Sequence, residues 1–230
     1  MQITLYDWGP SPFCLKVRAI LDYKGIRYKR INVLGKGTLE VYRRGGIGKV
    51  PAIDIDGCFL ADSTNIAHEL DRLFPERRII PPDSAEAALC HVLDDWADEA
   101  LYFIGLYYQW MDPEGAPMLS KAFRGPVGKL VLPLYKRRLH AQIKGQGTGR
   151  KPPAMIKEDL LRELDTVEGL LNGKAFLLGA TPALCDFSLM AQLVYMSRPP
   201  GSAREVTTRA AITEYLGRMR SLREHGRNGS

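Results

Sequence analysis

The chain has 230 residues, 45% hydrophobic and 25% charged, with a formal net charge of +6. That size and balance describe a globular protein able to bury a substantial core, as one large domain or two modest ones, and exclude a disordered chain. The opening MQITLYDWGP has neither a basic leader nor an export-length apolar run, and no stretch reaches membrane-spanning length, so the expected location is cytoplasmic with no membrane partner.

In chain order, ITLY at 3–6 reads as a short strand. Residues 12–24 place Phe13, Val17, Ile20 and Leu21 on one side of a helix, with Pro12 at the first helical position and Gly25 as the stop. YKRINV at 28–33 alternates as a second strand, and PAIDIDGCFL gives two short runs joined at Asp56-Gly57, a strong hairpin signal. In ADSTNIAHELDRLF, Asp62 or Ser63 caps a helix whose buried stripe is Ile66, Leu70 and Leu73. The order βαβ, a loop, ββα predicts one α/β sheet layer, with Pro75–Pro82 as a linker.

After Pro82 the pattern is helical. Residues 84–111 repeat Trp96, Ala100, Phe103, Tyr107 and Trp110 at spacings of four and three. A further helix is expected over 126–143, with Pro133 bending or interrupting it. A loop covers 145–153, and from 154 onward Ile156, Leu160, Leu164, Val167 and Leu171 mark an amphipathic helix ended by Gly173. Two more helices are expected over 183–197 and 204–222, and the tail GRNGS reads as disordered.

The four cysteines (Cys14, Cys58, Cys90, Cys185) and four histidines are scattered without metal-ligand spacing, so no metal site is expected. Residues 83–115 carry eight acidic and no basic residues, whereas 116–157 carry ten basic and no acidic ones. Such blocks face each other within a fold or across a subunit boundary. Aromatic residues are not interleaved with the basic block, which disfavours nucleic-acid binding.

GPSPFC at 9–14 supports two readings. Ser11 is an ordinary helix N-cap ahead of Pro12, or the same helix start holds a thiolate, with the Ser11 hydroxyl donating to its sulfur. Lowering a thiol pKa from about 8.5 by two units takes roughly 2.7 kcal/mol, within reach of one charge-assisted bond plus the helix end. A covalent role for Ser11 lacks a histidine partner or a hydrolase elbow. Cys14, in the first turn, is either a redox thiol if exposed or a packed side chain. Without a cysteine at position 11 the intramolecular dithiol cycle is lost.

Four segments together resemble the glutathione transferase superfamily: SPFCLKVR at 11–18, GKVPAI at 48–53, DSTNIAHEL at 62–70 and FLLGATPALCDFSL at 176–189. SPFC is similar to the serine-type tau and zeta classes, and to the cysteine-based omega and glutaredoxin-like CPFC. The resemblance implies a glutathione transferase fold: an α/β thioredoxin-like domain at 1–80 that binds glutathione, an all-α domain at 84–225 that forms the co-substrate site, and a homodimer. By position it implies that Ser11 stabilises the glutathione thiolate. Pro51 would be a cis-proline, and the Val50 backbone would pair with the cysteinyl part. Ser63 and Asp62 would grip the γ-glutamyl carboxylate and ammonium, with Asp where the family more often has Glu. Lys49 or Lys36 would meet the glycyl carboxylate. Asp186 in PALCD would bond backbone amides at a helix start, with Ala183 in place of the usual capping Ser or Thr, unless Thr181 caps one turn earlier.

The second substrate is expected between the domains, bordered by Trp8 and Phe13 on one side and by candidates Tyr107, Tyr108, Trp110 and Met111 on the other. These aromatic residues imply a small hydrophobic, aromatic electrophile. Conjugation of glutathione to it is the leading expectation. Glutathione-dependent reduction of a disulfide or peroxide and a non-catalytic scaffold role are the alternatives.

Overall fold

The computed structural model describes residues 1–33, 38–44, 49–115 and 125–228. Strand β1 (Ile3–Asp7) is buried at four of its five positions, as befits an interior strand. Helix α1 (Pro12–Tyr23) crosses from it to the parallel strand β2 (Lys29–Asn32). Strands β3 (Ala52–Ile55) and β4 (Cys58–Ala61) are antiparallel, and the sheet order is β2-β1-β3-β4. Asp56 and Gly57 have φ of 49° and 92°, the left-handed pair that a two-residue hairpin turn requires. Helix α1 is buried nearly all round. Val17, Ile20 and Leu21 are fully enclosed and Phe13 is half-buried, but Cys14, Lys16 and Arg18 are buried too.

The loop expected after β2 contains a short helix, α2 (Thr38–Arg43). Its Val41 packs with Tyr6, Val33 and Ala52, and Tyr6 donates its hydroxyl to Glu40 at 2.5 Å. One apolar anchor in six residues is too little periodicity to read as a helix. Helix α3 (Ser63–Leu73) buries Ile66, Ala67 and Leu70, while Leu73 is half-buried. The expected linker is a tied strap: a 3-10 turn spans Pro75–Arg77, and Ile79 is 1% exposed. Its N–H donates to Asp71 Oδ1 at 2.8 Å, and its carbonyl accepts the Leu184 N–H at 2.7 Å.

The long periodic segment is α4 (Ser84–Asp95), a π-helical turn (Trp96–Leu101) and α5 (Tyr102–Trp110). The π turn changes the phase between the two halves. Helix α6 (Gly125–Gln146) runs through Pro133 without the expected interruption, and Pro133 lies on its exposed face. A 3-10 turn at Thr148–Arg150 follows, and α7 (Pro153–Leu171) buries the five expected apolar positions. Helix α8 spans Leu184–Met196. The single helix expected over 204–222 is instead α9 (Pro200–Thr207) and α10 (Ala210–Asn228). At this break the hydroxyls of Thr207, Thr208 and Thr213 bond carbonyls four residues back, competing with helical pairing. Helix α10 also takes in Gly226–Asn228 of the tail expected to be disordered.

Two compact units interleave along the chain: Met1–Asp94 with Lys174–Ala191 and Tyr215–Ser230, and Asp95–Gly173 with Gln192–Glu214. In the first, Asp186 accepts the amides of Leu177 and Ala183, each at 2.9 Å, and the Tyr215 hydroxyl at 3.2 Å. Ala183 thus precedes α8 without a capping hydroxyl, and the carboxylate of Asp186 takes up its amide, as expected of this position. In the second unit Tyr102 stacks on Tyr195 and Trp110 meets Tyr135 edge-on. A Cβ on Gly105 would stand 2.9 Å from the Tyr195 ring, so the backbone approaches there as closely as glycine permits. The charged blocks find partners elsewhere in the sequence: Lys151 and Lys157 reach Asp159 and Glu205, and Asp94 reaches Lys16.

Candidate functional site

Strand register brings three chain segments to one end of the sheet. Tyr6 stands opposite Ala52, and Ala52 opposite Ala61. The chain leaving β1 toward Ser11, the residues entering β3 at Pro51 and the residues leaving β4 at Asp62 therefore lie side by side. Sequence-distant candidates meet because a mixed sheet aligns them.

Ser11 is the N-cap of α1, with φ −70° and ψ 128°, and Pro12 follows in the first turn. Its N–H donates to the Trp8 carbonyl at 3.0 Å, closing a turn over Gly9 and Pro10. Its Oγ accepts the Cys14 N–H at 3.3 Å, and its side chain also hydrogen-bonds the Cys14 thiol. Ser11 is 7% exposed. Cys14 is fully buried, and its Sγ accepts the Trp8 N–H at 3.4 Å. Burial pushes its thiol up to about 12, so it is protonated at neutral pH.

The Val50–Pro51 bond is cis. Pro51 is buried, Val50 half-buried and Lys49 exposed, whereas Lys36 lies outside the described residues. Asp62 caps α3, its Oδ1 accepting the amides of Thr64 (3.0 Å) and Asn65 (3.1 Å). Its φ of 81° is rare for a residue with a side chain and costs about 1–3 kcal/mol, a strain typical of functional positions. Ser63, 5% exposed, follows at the helix start, where the helix dipole favours an anion.

Residues 5–78 match the family described as Glutathione S-transferase, N-terminal domain. Over 95% of its length the chain is 26% identical to the isoprene-epoxide–glutathione S-transferase of Rhodococcus sp. (strain AD45), of which it covers 98%. The chain is thus similar to glutathione transferases, through its N-terminal segment and through one relative over nearly its whole length. Its fold is similar to that of β-etherase LigF from Sphingobium sp. strain SYK-6, with a TM-score of 0.73 at 20% identity and both chains covered in full. A glutathione S-transferase of Ceriporiopsis subvermispora, solved with glutathione, gives 0.66 at 20% identity over 98% of each chain. A thioredoxin-like N-terminal layer followed by an all-α part is the glutathione transferase fold, as expected.

The aromatic candidates take different places. Trp8 packs with Val50 and Phe59 against the Tyr6–Val41 cluster, and Phe13 is half-buried. Tyr107, Tyr108 and Trp110 are at most 8% exposed. They pack within their own unit: Tyr107 edge-on to Tyr108, Tyr108 beside Gly201, and Trp110 on Tyr135. Met111 is half-buried, with its sulfur beside Gly149.

Sequence reasoning missed the charges inside the first unit. Lys16 is fully buried, and its ammonium donates to Asp94 Oδ1 (2.7 Å) and Thr64 Oγ1 (3.0 Å). Thr64 in turn donates to Asp94 Oδ2 at 2.9 Å, and the Ser188 hydroxyl donates to Oδ1. This cluster joins α1, which begins at Ser11, to α3, which begins at Ser63. Asp7, Arg18 and Arg30 form a second group behind the Trp8–Ser11 turn. The available signal was Lys16 and Arg18 at positions in α1 that apolar residues surround.

Proposed function

We propose that the chain is an enzyme that binds glutathione at this end of the sheet, holds its sulfur as a thiolate at Ser11 and joins it to a small apolar, aromatic electrophile. The observation that carries this reading is the place of Ser11: it caps the N-terminus of α1, the helix end that favours a thiolate, with its hydroxyl at that end. The Val50 backbone ahead of Pro51 pairs with the cysteinyl residue. Ser63 and its amide take the γ-glutamyl carboxylate, Asp62 takes the ammonium through the oxygen not used in capping, and Lys49 meets the glycyl carboxylate. Residues 1–80 serve glutathione and 84–225 the co-substrate. The protein acts in the cytoplasm as a homodimer, and the reaction uses no metal.

In the reaction the thiolate forms a carbon–sulfur bond while a halide or alkoxide leaves, or while an epoxide opens and its oxygen takes up a proton from water. Catalysis comes from a ready thiolate held beside its target. The buried, protonated Cys14 supports this reading over disulfide exchange through that residue. The names of the relatives direct the screen toward epoxides and ethers.

The test is glutathione conjugation of a chlorodinitrobenzene and of an aromatic epoxide by the wild type and Ser11→Ala. A two-unit rise in the sulfur pKa, from about 6.5 to about 8.5, predicts about a 25-fold loss at neutral pH, recovered as the pH is raised, with glutathione affinity kept. An unchanged pH profile in Ser11→Ala contradicts the role of Ser11.

A further inference from the structure

The turn that delivers Ser11 has three charges behind it. Asp7, the last residue of β1, is 3% exposed, and its carboxylate is shared by two guanidinium groups. Arg18 Nη1 donates to Oδ1, and Arg30 donates to Oδ2 through Nε (2.9 Å) and Nη2. Arg18 also reaches the Gly9 carbonyl through Nη2 at 3.4 Å, inside the Trp8–Ser11 turn. Ser11, Cys14 and Arg18 follow one another at spacings of three and four along α1, and so share a face. The group as a whole carries one positive charge. Arg18 lies within the core while Arg30 is half exposed, so the Arg18 charge is the less screened of the two.

We propose that Arg18, fixed by Asp7 and seconded by Arg30, is the positioning residue that sets the Ser11 turn and tips the local charge toward an ionised glutathione sulfur. The inference rests on the glutathione reading of the site. Alone, the Asp7 carboxylate would oppose a thiolate at the turn; the two guanidinium groups it binds counter that field. Cys14, which touches both ends of the turn, registers both influences behind the larger effect of burial: Asp7 raises its thiol, and Arg18 lowers it by less. The neighbouring elements contribute balanced or engaged groups. From α2, Glu40 meets the Tyr6 hydroxyl and Arg44 pairs with Asp54, and at the start of α3 Asp62 caps its own helix.

The test titrates the thiolate absorbance of glutathione bound to the full chain, in the wild type and in Arg18→Gln, Arg30→Gln and Asp7→Asn. Loss of Arg18 should raise the apparent sulfur pKa by about one unit, about a three-fold drop in turnover at neutral pH, and loss of the more screened Arg30 by about half a unit. Asp7→Asn should move it the other way, by about half a unit. A merely structural role predicts a common direction for all three, following their melting temperatures, and that result overturns the proposal, as does the absence of any shift. If Arg18→Gln does not fold, Arg30→Gln and Asp7→Asn decide by the same rule of opposite signs. A wild type that binds no glutathione defeats the reading of the site itself, whereas an ionised wild-type sulfur with unshifted variants defeats this inference alone.

Discussion

Replacing Asp94 by Ala takes the counter-ion from a lysine with no route to water. Lys16 is 0% exposed and Asp94 1%, and the carboxylate also accepts the hydroxyls of Thr64 and Ser188. Breaking a buried pair by removing one partner costs about 3–5 kcal/mol, and the two hydroxyls left without this acceptor add about 1 kcal/mol each. Set against a total stability of about 5–15 kcal/mol, this leaves the variant marginal. Urea unfolding measures the loss. The double variant Lys16→Met/Asp94→Leu removes both charges together and should recover to within about 1–2 kcal/mol of the wild type, because a desolvated ion pair stabilises little over an apolar one of similar size. A cost below about 1 kcal/mol for Asp94→Ala, or a double variant no better than the single, refutes the buried-charge argument.

Asp186→Ala should strip the acceptor from two buried amides and the Tyr215 hydroxyl, costing about 3 kcal/mol or more in urea unfolding. Burial pushes the Asp186 carboxyl up to about 6, so the folded chain keeps a proton that the unfolded chain releases at lower pH. Stability from this group is therefore greatest below the ordinary carboxylate range and declines as pH rises through about 6; the melting curve of Asp186→Asn should lack that decline. Gly105→Ala forces a methyl to within 2.9 Å of the Tyr195 ring and 3.1 Å of Met196, and calorimetry should register a loss of about 1–3 kcal/mol. His68 stacks on His91 at 4.9 Å, and burial followed by the His91 charge holds it below the usual imidazole value. Its contribution is present above the ordinary histidine pKa and lost as pH falls through the depressed one, so His68→Gln should flatten the acid limb of the melting curve.

The sheet half was readable because its signals are local. Asp56-Gly57 marks a turn by backbone chemistry alone, and Pro12 after Ser11 marks a helix start. The π turn at Trp96–Leu101 was not readable, since a periodic apolar pattern continues across a one-residue change of phase. Helix α2 hangs on Val41 and on the Tyr6–Glu40 bond, a partner 34 residues away. The break between α9 and α10 depends on threonine hydroxyls that serve either state. The candidate site divides in the same way. Ser11, Pro51, Asp62 and Ser63 stand in recognisable segments, and strand register explains why they meet. The buried charges of Lys16, Asp94, Asp7 and Arg18 carry no local signature, because each is specified by a partner far along the chain. Asp62 shows a further limit: a cap is predictable from residue type, whereas its φ of 81° follows from leaving β4 and entering α3 without a spacer.

The most direct measurement is an ultraviolet titration of glutathione bound to the wild type and to Ser11→Ala. The account predicts a sulfur in the wild-type complex that ionises about two units below that of free glutathione, and a sulfur in the Ser11→Ala complex returned most of the way to the free value with binding retained. Glutathione that binds with an unshifted sulfur in the wild type, or one equally ionised without the Ser11 hydroxyl, contradicts it.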